Sequence, residues 1–88
     1  MKFEWDPDKN EANIRKHGFD FEEAAQVLLD DYYQERSDRG GERRWIAVGA
    51  LRGRIITVVY TRRSESYRIT SARRAREHGR EKYRQKIG

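Results

Sequence analysis

The sequence predicts an α+β domain in which an antiparallel β-sheet is preceded by two helices and followed by a third. Three observations lead there. Two segments with helix start and stop signals lie between residues 7 and 29. Two β-rich runs, RRWIAVGAL and RIITVVYT, are joined only by Arg52-Gly53. An arginine-rich helical segment, ARRAREHGREKYRQKI, follows the last strand-like run. A connection of two residues forces antiparallel pairing, and helices grouped around the strands rather than alternating with them indicate α+β.

The elements follow in order. Phe3 and Trp5 alternate with Lys2 and Glu4, the pattern of a short strand. Asp6 then suits an N-cap, Pro7 the first helical position and Asp8 the positive helix end, while Gly18 suits the stop after Lys16 and His17. A helix over Pro7 to His17 results, although only Ala12 and Ile14 within it are apolar. Asp20 caps FEEAAQVLL, where Phe21, Ala24, Ala25, Leu28 and Leu29 recur at helical spacing and form a core face.

YYQER (Tyr32 to Arg36) reads as a strand running into the polar SDRGGE turn, and the Arg52-Gly53 hairpin comes next. After a second polar turn, Tyr67, Ile69 and Ser71 alternate with Arg68 and Thr70. The expected sheet is a three-stranded meander with one or two edge strands. Ser71 can cap the last helix, turning Ala72, Ala75 and Tyr83 toward the body and setting Arg73, Arg76, Arg80 and Arg84 near one ridge. Gly79 inside that helix weakens it by about 1 kcal/mol.

At 88 residues the chain has room for a single domain, residues 1 to 88, with one modest core. It contains no cysteine, which excludes a disulfide framework and thiolate zinc sites. With only two histidines, no metal site is expected, and no cofactor motif is present. No apolar run has the roughly 18 residues of a membrane span, so no membrane association is expected and a cytoplasmic location is the economical reading. Glycine-rich phosphate loops and Ser/His/Asp or Cys/His nucleophile patterns are also absent.

The net charge of +5 is unevenly distributed. Residues 1 to 51 carry 8 basic and 12 acidic side chains, whereas residues 52 to 88 carry 12 basic and 3 acidic ones. The arginine-rich second half has the field to attract phosphates or an acidic partner. Neutralisation of one half by the other within the fold is the ordinary alternative.

Two sets of residues are candidates for chemistry. Lys9, Asn13, Lys16 and His17 share one face of the first helix and could bind phosphate and move a proton, imidazole being the side chain that exchanges protons near neutrality. The same spacing also suits a solvated face whose cations favour the helix C-terminus. Arg63 and Arg68 flank a short turn and could approach each other around an anion, or pair with acidic neighbours. Trp45, Tyr60, Tyr67 and Tyr83 could stack on bases, but in so short a chain most aromatics serve the core.

Laid end to end, FEWDPDKNEANIRKHGFDFEEAAQVL, ERRWIAVGALRGRIITVVYTRR and YRITSARRAREHGREKY resemble the BrnT family of type II toxins in content, order and spacing. The resemblance implies a RelE-like ribonuclease fold and a toxin that halts translation by cutting RNA. It implies neutralisation by a BrnA-like ribbon-helix-helix antitoxin in a heterotetramer with two copies of each chain, and contact with operator DNA only through that complex. By position, Lys9, Asn13, Lys16, His17 and Gly18 match the front motif, Tyr60, Arg63, Arg68, Ser71 and Arg73 the later one, and Arg80 and Tyr83 the last helix.

The chain departs from the pattern at Arg62, where an acid is expected, at Thr70, where an aliphatic is expected, and at Gly79, where glutamate is expected. A metal-independent attack of the RNA 2′-hydroxyl on its own phosphate fits these residues. In that scheme Lys9, Arg63 and Arg68 hold the phosphate, His17 moves the proton, and Asn13, Lys16, Tyr60, Arg73, Arg80, Tyr83 and Arg84 contact RNA. A non-catalytic module that binds nucleic acid or antitoxin needs only the same basic half.

Overall fold

The computed structural model describes residues 1–88. In chain order the elements are β1 (Lys2–Glu4), α1 (Pro7–His17), α2 (Phe21–Val27), β2 (Tyr32–Arg36), β3 (Trp45–Leu51), β4 (Arg54–Arg63), β5 (Ser66–Arg74) and α3 (Glu77–Lys86). They form the α+β, RelE-like arrangement expected from the sequence. One five-stranded sheet has the order β1-β5-β4-β3-β2. The pairs β2/β3, β3/β4 and β4/β5 are antiparallel, but β1 pairs with β5 in parallel. The sheet is therefore mixed. β1 leads into helices rather than a hairpin, so no turn dictates its direction.

Two helix boundaries differ from the sequence reading. β5 continues through Ala72 to Arg74, which pair with Val58 to Ile56 of the ten-residue β4, and the Ala75 amide donates to the Ile55 carbonyl. Ser71 therefore lies in a strand and caps nothing; α3 begins at Glu77, with Arg76 as an N-cap that makes no side-chain capping bond. A long pairing partner overrides the helical propensity of ARRA. Similarly, α2 ends at Val27 with Leu28 as its cap, so Leu28 is buried but Leu29, expected on the core face, is 66% exposed.

α1 and α2 cover one face of the sheet. There Ala47, Leu51, Ile56, Val58, Tyr60, Ile69 and Ala72 meet Phe19, Phe21, Ala24, Ala25, Val27 and Leu28 in the main core. Close approach of α2 requires Gly49: a Cβ built there would stand 2.7 Å from Val27 Cγ1 and 3.3 Å from Tyr32 Cβ. Gly49→Ala is accordingly expected to destabilise the protein by about 1–3 kcal/mol through overpacking, read as a lower denaturant midpoint at unchanged m-value.

α1 has few apolar residues to pack, and a buried amide holds it instead. β1 covers the outer edge of β5 only along Ser66 to Arg68, leaving the rest of that edge without a strand. Asn13, 7% exposed, takes the missing strand's place at Ala72: its Oδ1 accepts from the Ala72 amide at 3.1 Å, and its Nδ2 donates to the Ala72 carbonyl at 2.8 Å. The same Nδ2 donates to the Phe19 carbonyl at 2.9 Å. One turn earlier, Asn10 Oδ1 accepts from the Phe21 amide at 2.8 Å and ties α1 to α2. Polar residues thus dock this helix.

Candidate nucleic-acid interface

The sheet face opposite α1 and α2 is only partly covered, because α3 lies against β2 and β3. Strand register sets a cross-strand row on that face: Tyr33 opposes Val48, Val48 opposes Thr57, and Thr57 opposes Arg73. In the adjacent row Glu35 opposes Ile46, which opposes Val59, which opposes Ser71. Alternation along each strand turns all of these to the same side.

Between the rows and α3 runs a groove of about 250 Å³, floored by Ile46, Val48 and Thr57. Its walls are formed by Tyr33 and Glu35 of β2, Arg73 of β5, Arg76, and His78, Gly79 and Lys82 of α3. A Cβ at residue 79 would stand 3.9 Å from Val48 Cγ2 and 4.0 Å from Thr57 Oγ1, in ordinary contact. The departure at Gly79 therefore falls on the groove, and glycine leaves it open.

The groove's charges are unbalanced. Ion pairs in the protein join Arg15 to Glu11, Arg36 to Asp38, Arg52 to Glu23 and Arg68 to Glu4, and none involves Arg73, Arg76 or Lys82. Arg73 is partly buried, and its side chain donates only to the Arg74 carbonyl, at 3.2 Å. Desolvation, and then repulsion from Arg76, pull its pKa below the ordinary arginine value. A partly buried guanidinium beside a second, exposed one, neither paired with a carboxylate, is stabilised by a bound anion.

Proton-transfer groups lie within the same walls. Glu35 is the one carboxylate lining the groove, and its Oε2 accepts from the Tyr33 hydroxyl at 2.7 Å. Lys82 Nζ sits 5.7 Å from the centre of the Tyr33 ring, and His78 faces the groove from the first turn of α3. A carboxylate, a phenol, an imidazole and three cations can together bind a phosphodiester, accept a proton and donate one. No three His, Asp or Glu side chains converge as they would to hold a metal ion.

The residues singled out in the sequence are distributed differently. Lys9, Lys16 and His17 line a second, shallower depression with Asn13, Thr70 and Ser71. Asn13, expected to contact RNA, has its amide occupied by the backbone of Phe19 and Ala72. Tyr60, also expected at the RNA, is 1% exposed, and its hydroxyl donates to Gln34 Oε1, so its ring belongs to the core. Burial, and then Tyr32, push that hydroxyl's pKa well above the usual range.

Arg63 opposes Ser66 and Arg68 opposes Thr61, so the two arginines do not face each other across the ladder. Arg68 pairs with Glu4 at 3.0 Å, and neither arginine lines a depression. Arg80 lies in α3 and donates to the Ala75 carbonyl at 2.5 Å, tying down the start of the helix. Tyr83 and Arg84 lie in α3 outside the groove lining. Of the expected contacts, Arg73 alone belongs to the groove.

Tyr33, Glu35, Arg76, His78 and Lys82 are the groove residues that sequence reasoning left without a role. Their spacing carried a signal: Tyr33 and Glu35 share a face of a strand, and His78 and Lys82 are one helical turn apart. At the other departures, Arg62 stacks over the Tyr67 ring at 4.6 Å and the Thr70 hydroxyl donates to the Val59 carbonyl at 3.3 Å.

No helix is long and apolar enough to cross a membrane. A comparison with curated proteins yields no significant match. Residues 5–79 match the family model described as "Ribonuclease toxin, BrnT, of type II toxin-antitoxin system". That span covers strands β2 to β5, both N-terminal helices and the groove residues up to Gly79. The chain belongs to the BrnT family of ribonuclease toxins.

Proposed function

We propose that this protein cleaves RNA in the groove beneath α3, without a metal ion, and thereby inhibits translation. Glu35 accepts the proton of a ribose 2′-hydroxyl as that oxygen attacks the adjacent phosphorus. His78, protonated, donates a proton to the departing 5′-oxygen. The P–O5′ bond breaks as the O2′–P bond forms, leaving a 2′,3′-cyclic phosphate on one product and a 5′-hydroxyl on the other. Arg73, Arg76 and Lys82 stabilise the charge that accumulates on the phosphoryl oxygens, a contribution commonly larger than that of any one acid or base. Tyr33 orients Glu35 through its 2.7 Å hydrogen bond.

The observation that carries this reading is Arg73, a partly buried guanidinium with no carboxylate partner, beside Arg76 and within the same groove as Glu35 and His78. Membership in a ribonuclease toxin family supports it. A BrnA-like ribbon-helix-helix antitoxin, two copies with two of the toxin, is the proposed partner. The basic groove gives such a chain a surface for an acidic segment, and operator DNA is then contacted through the complex.

Incubation of purified protein with RNA in EDTA is expected to yield 2′,3′-cyclic phosphate and 5′-hydroxyl ends, and Glu35→Gln is expected to slow their appearance by about 10²-fold or more. RNA binding that weakens steeply with salt but gives no products would replace this reading with that of a non-catalytic binding module.

A further inference from the structure

We propose that the depression between α1 and β5 is a second phosphate-binding subsite, which takes single-stranded RNA leaving the groove beneath α3. The inference rests on the ribonuclease reading for its substrate but on separate residues for its geometry. Lys9, Lys16 and His17 converge there with Thr70 and Ser71. Neither lysine takes part in an ion pair, whereas the Glu11 and Arg15 side chains elsewhere on α1 approach each other at 4.0 Å. The lysines of this face are thus left free while the Ser71 hydroxyl of β5 supplies a neutral donor beside them, the Thr70 hydroxyl being taken by the Val59 carbonyl, and this combination suits phosphate oxygens.

The position of the depression makes it a continuation of the groove. Ser71 opposes Val59 and Arg73 opposes Thr57, so Ser71 and Arg73 project from the same face of β5, two residues or about 7 Å apart. Ser71 borders the depression and Arg73 borders the groove. Ala72, between them, is the residue whose amide and carbonyl are both held by Asn13. Lys9, Lys16 and His17 stand at i−4, i+3 and i+4 from Asn13 and surround it on the helix. The buried amide therefore fixes these three side chains relative to Arg73, and a strand bound at both places crosses β5 at Ser71–Arg73.

A single strand is the substrate class this path fits, because in-line attack by a 2′-hydroxyl requires a nucleotide free to leave helical stacking. Lys9, Lys16 and His17 then act on affinity and on preference for longer RNA, at a distance from the reacting phosphate.

The test uses a 2′-O-methyl oligoribonucleotide of about 12 nucleotides, uncleavable because it lacks the attacking hydroxyl, and measures affinity by fluorescence anisotropy across a salt series. The Lys9→Ala/Lys16→Ala double variant is expected to reduce the log–log salt slope by about 1.4, since each single-strand phosphate contact contributes about 0.7. With cleavable RNA, the ratio of kcat/KM for the long strand to that for a dinucleotide is expected to fall about tenfold. A slope equal to the parent's overturns the subsite, and so does an equal loss on dinucleotide and long strand, which would move these lysines into the reaction centre. If the parent does not cleave RNA, the ribonuclease reading fails by itself and the slope alone decides the subsite.

Discussion

Replacing Arg73 with alanine is expected to lower kcat/KM for RNA cleavage by about 10²- to 10³-fold while leaving the folded protein as stable as the parent or slightly more so. The two effects share one cause. Arg73 is partly buried, makes no ion pair, donates only to a neighbouring carbonyl, and is destabilised as a cation by desolvation and by Arg76. A side chain kept for structure is missed by the fold when removed. This one, in the absence of an anion, is a charge that the fold must tolerate. Arg73→Lys is expected to recover only part of the activity, because an ammonium lacks the planar fork that grips two phosphoryl oxygens. Steady-state kinetics and thermal melts of the three proteins check the pairing of lost activity with retained stability.

The largest effect on stability is expected at Asn13. Removing its amide leaves the Ala72 N–H, the Ala72 carbonyl and the Phe19 carbonyl without their partner in a buried setting. Each unsatisfied backbone group costs about 1–3 kcal/mol, partly relieved if water enters, so Asn13→Ala is expected to lose about 3–5 kcal/mol. For a chain of this size that is a large share of total stability and lowers Tm by roughly 15–30 °C. The loss should be visible first as faster hydrogen exchange in α1 and along the outer edge of β5. Lys9→Ala, on the same helix but exposed, is expected to change stability by less than about 0.5 kcal/mol, and chemical denaturation of both variants separates the buried anchor from its solvent-facing neighbours.

What could be read from the sequence was local. The Asp6 side chain accepts from the Asp8 amide at 2.8 Å and Gly18 adopts φ 81°, as the capping signals of α1 require. Asp20 and Glu23 form the reciprocal capping box that opens α2. The β3–β4 hairpin turns on Arg52 and Gly53, both at positive φ, 51° and 80°, as a tight two-residue hairpin loop demands. These signals lie within a few residues of the structure they specify.

What the sequence left hidden depends on partners distant in the chain. The ARRA segment has helical propensity, and only the length of β4 draws it into β5. Asn13 and Ala72 are separated by 59 positions, so spacing within α1 could mark Asn13 as polar and shared with Lys9 and Lys16, but could not show its amide turned inward onto a strand edge. The groove has the same character. Glu35 comes from the edge strand β2, Arg73 from β5 and His78 from α3, and nothing joins them before the sheet forms. A helix beginning at Ser71 would set Arg73 on a helical ridge, whereas Arg73 projects from a strand toward the helix.

The protein's two histidines offer the most direct test of where cleavage occurs, because His78 lines the groove beneath α3 and His17 lines the depression beside α1. Single-turnover cleavage of one RNA at saturating protein, compared for His78→Ala and His17→Ala, measures the chemical step at each location. A reaction centre in the groove requires a fall of about 10²-fold or more for His78→Ala, the loss of a general acid, and a fall of less than about tenfold for His17→Ala. The opposite order, with His17→Ala inactive and His78→Ala near the parent rate, would empty the groove of its catalytic role and move the reaction centre to α1.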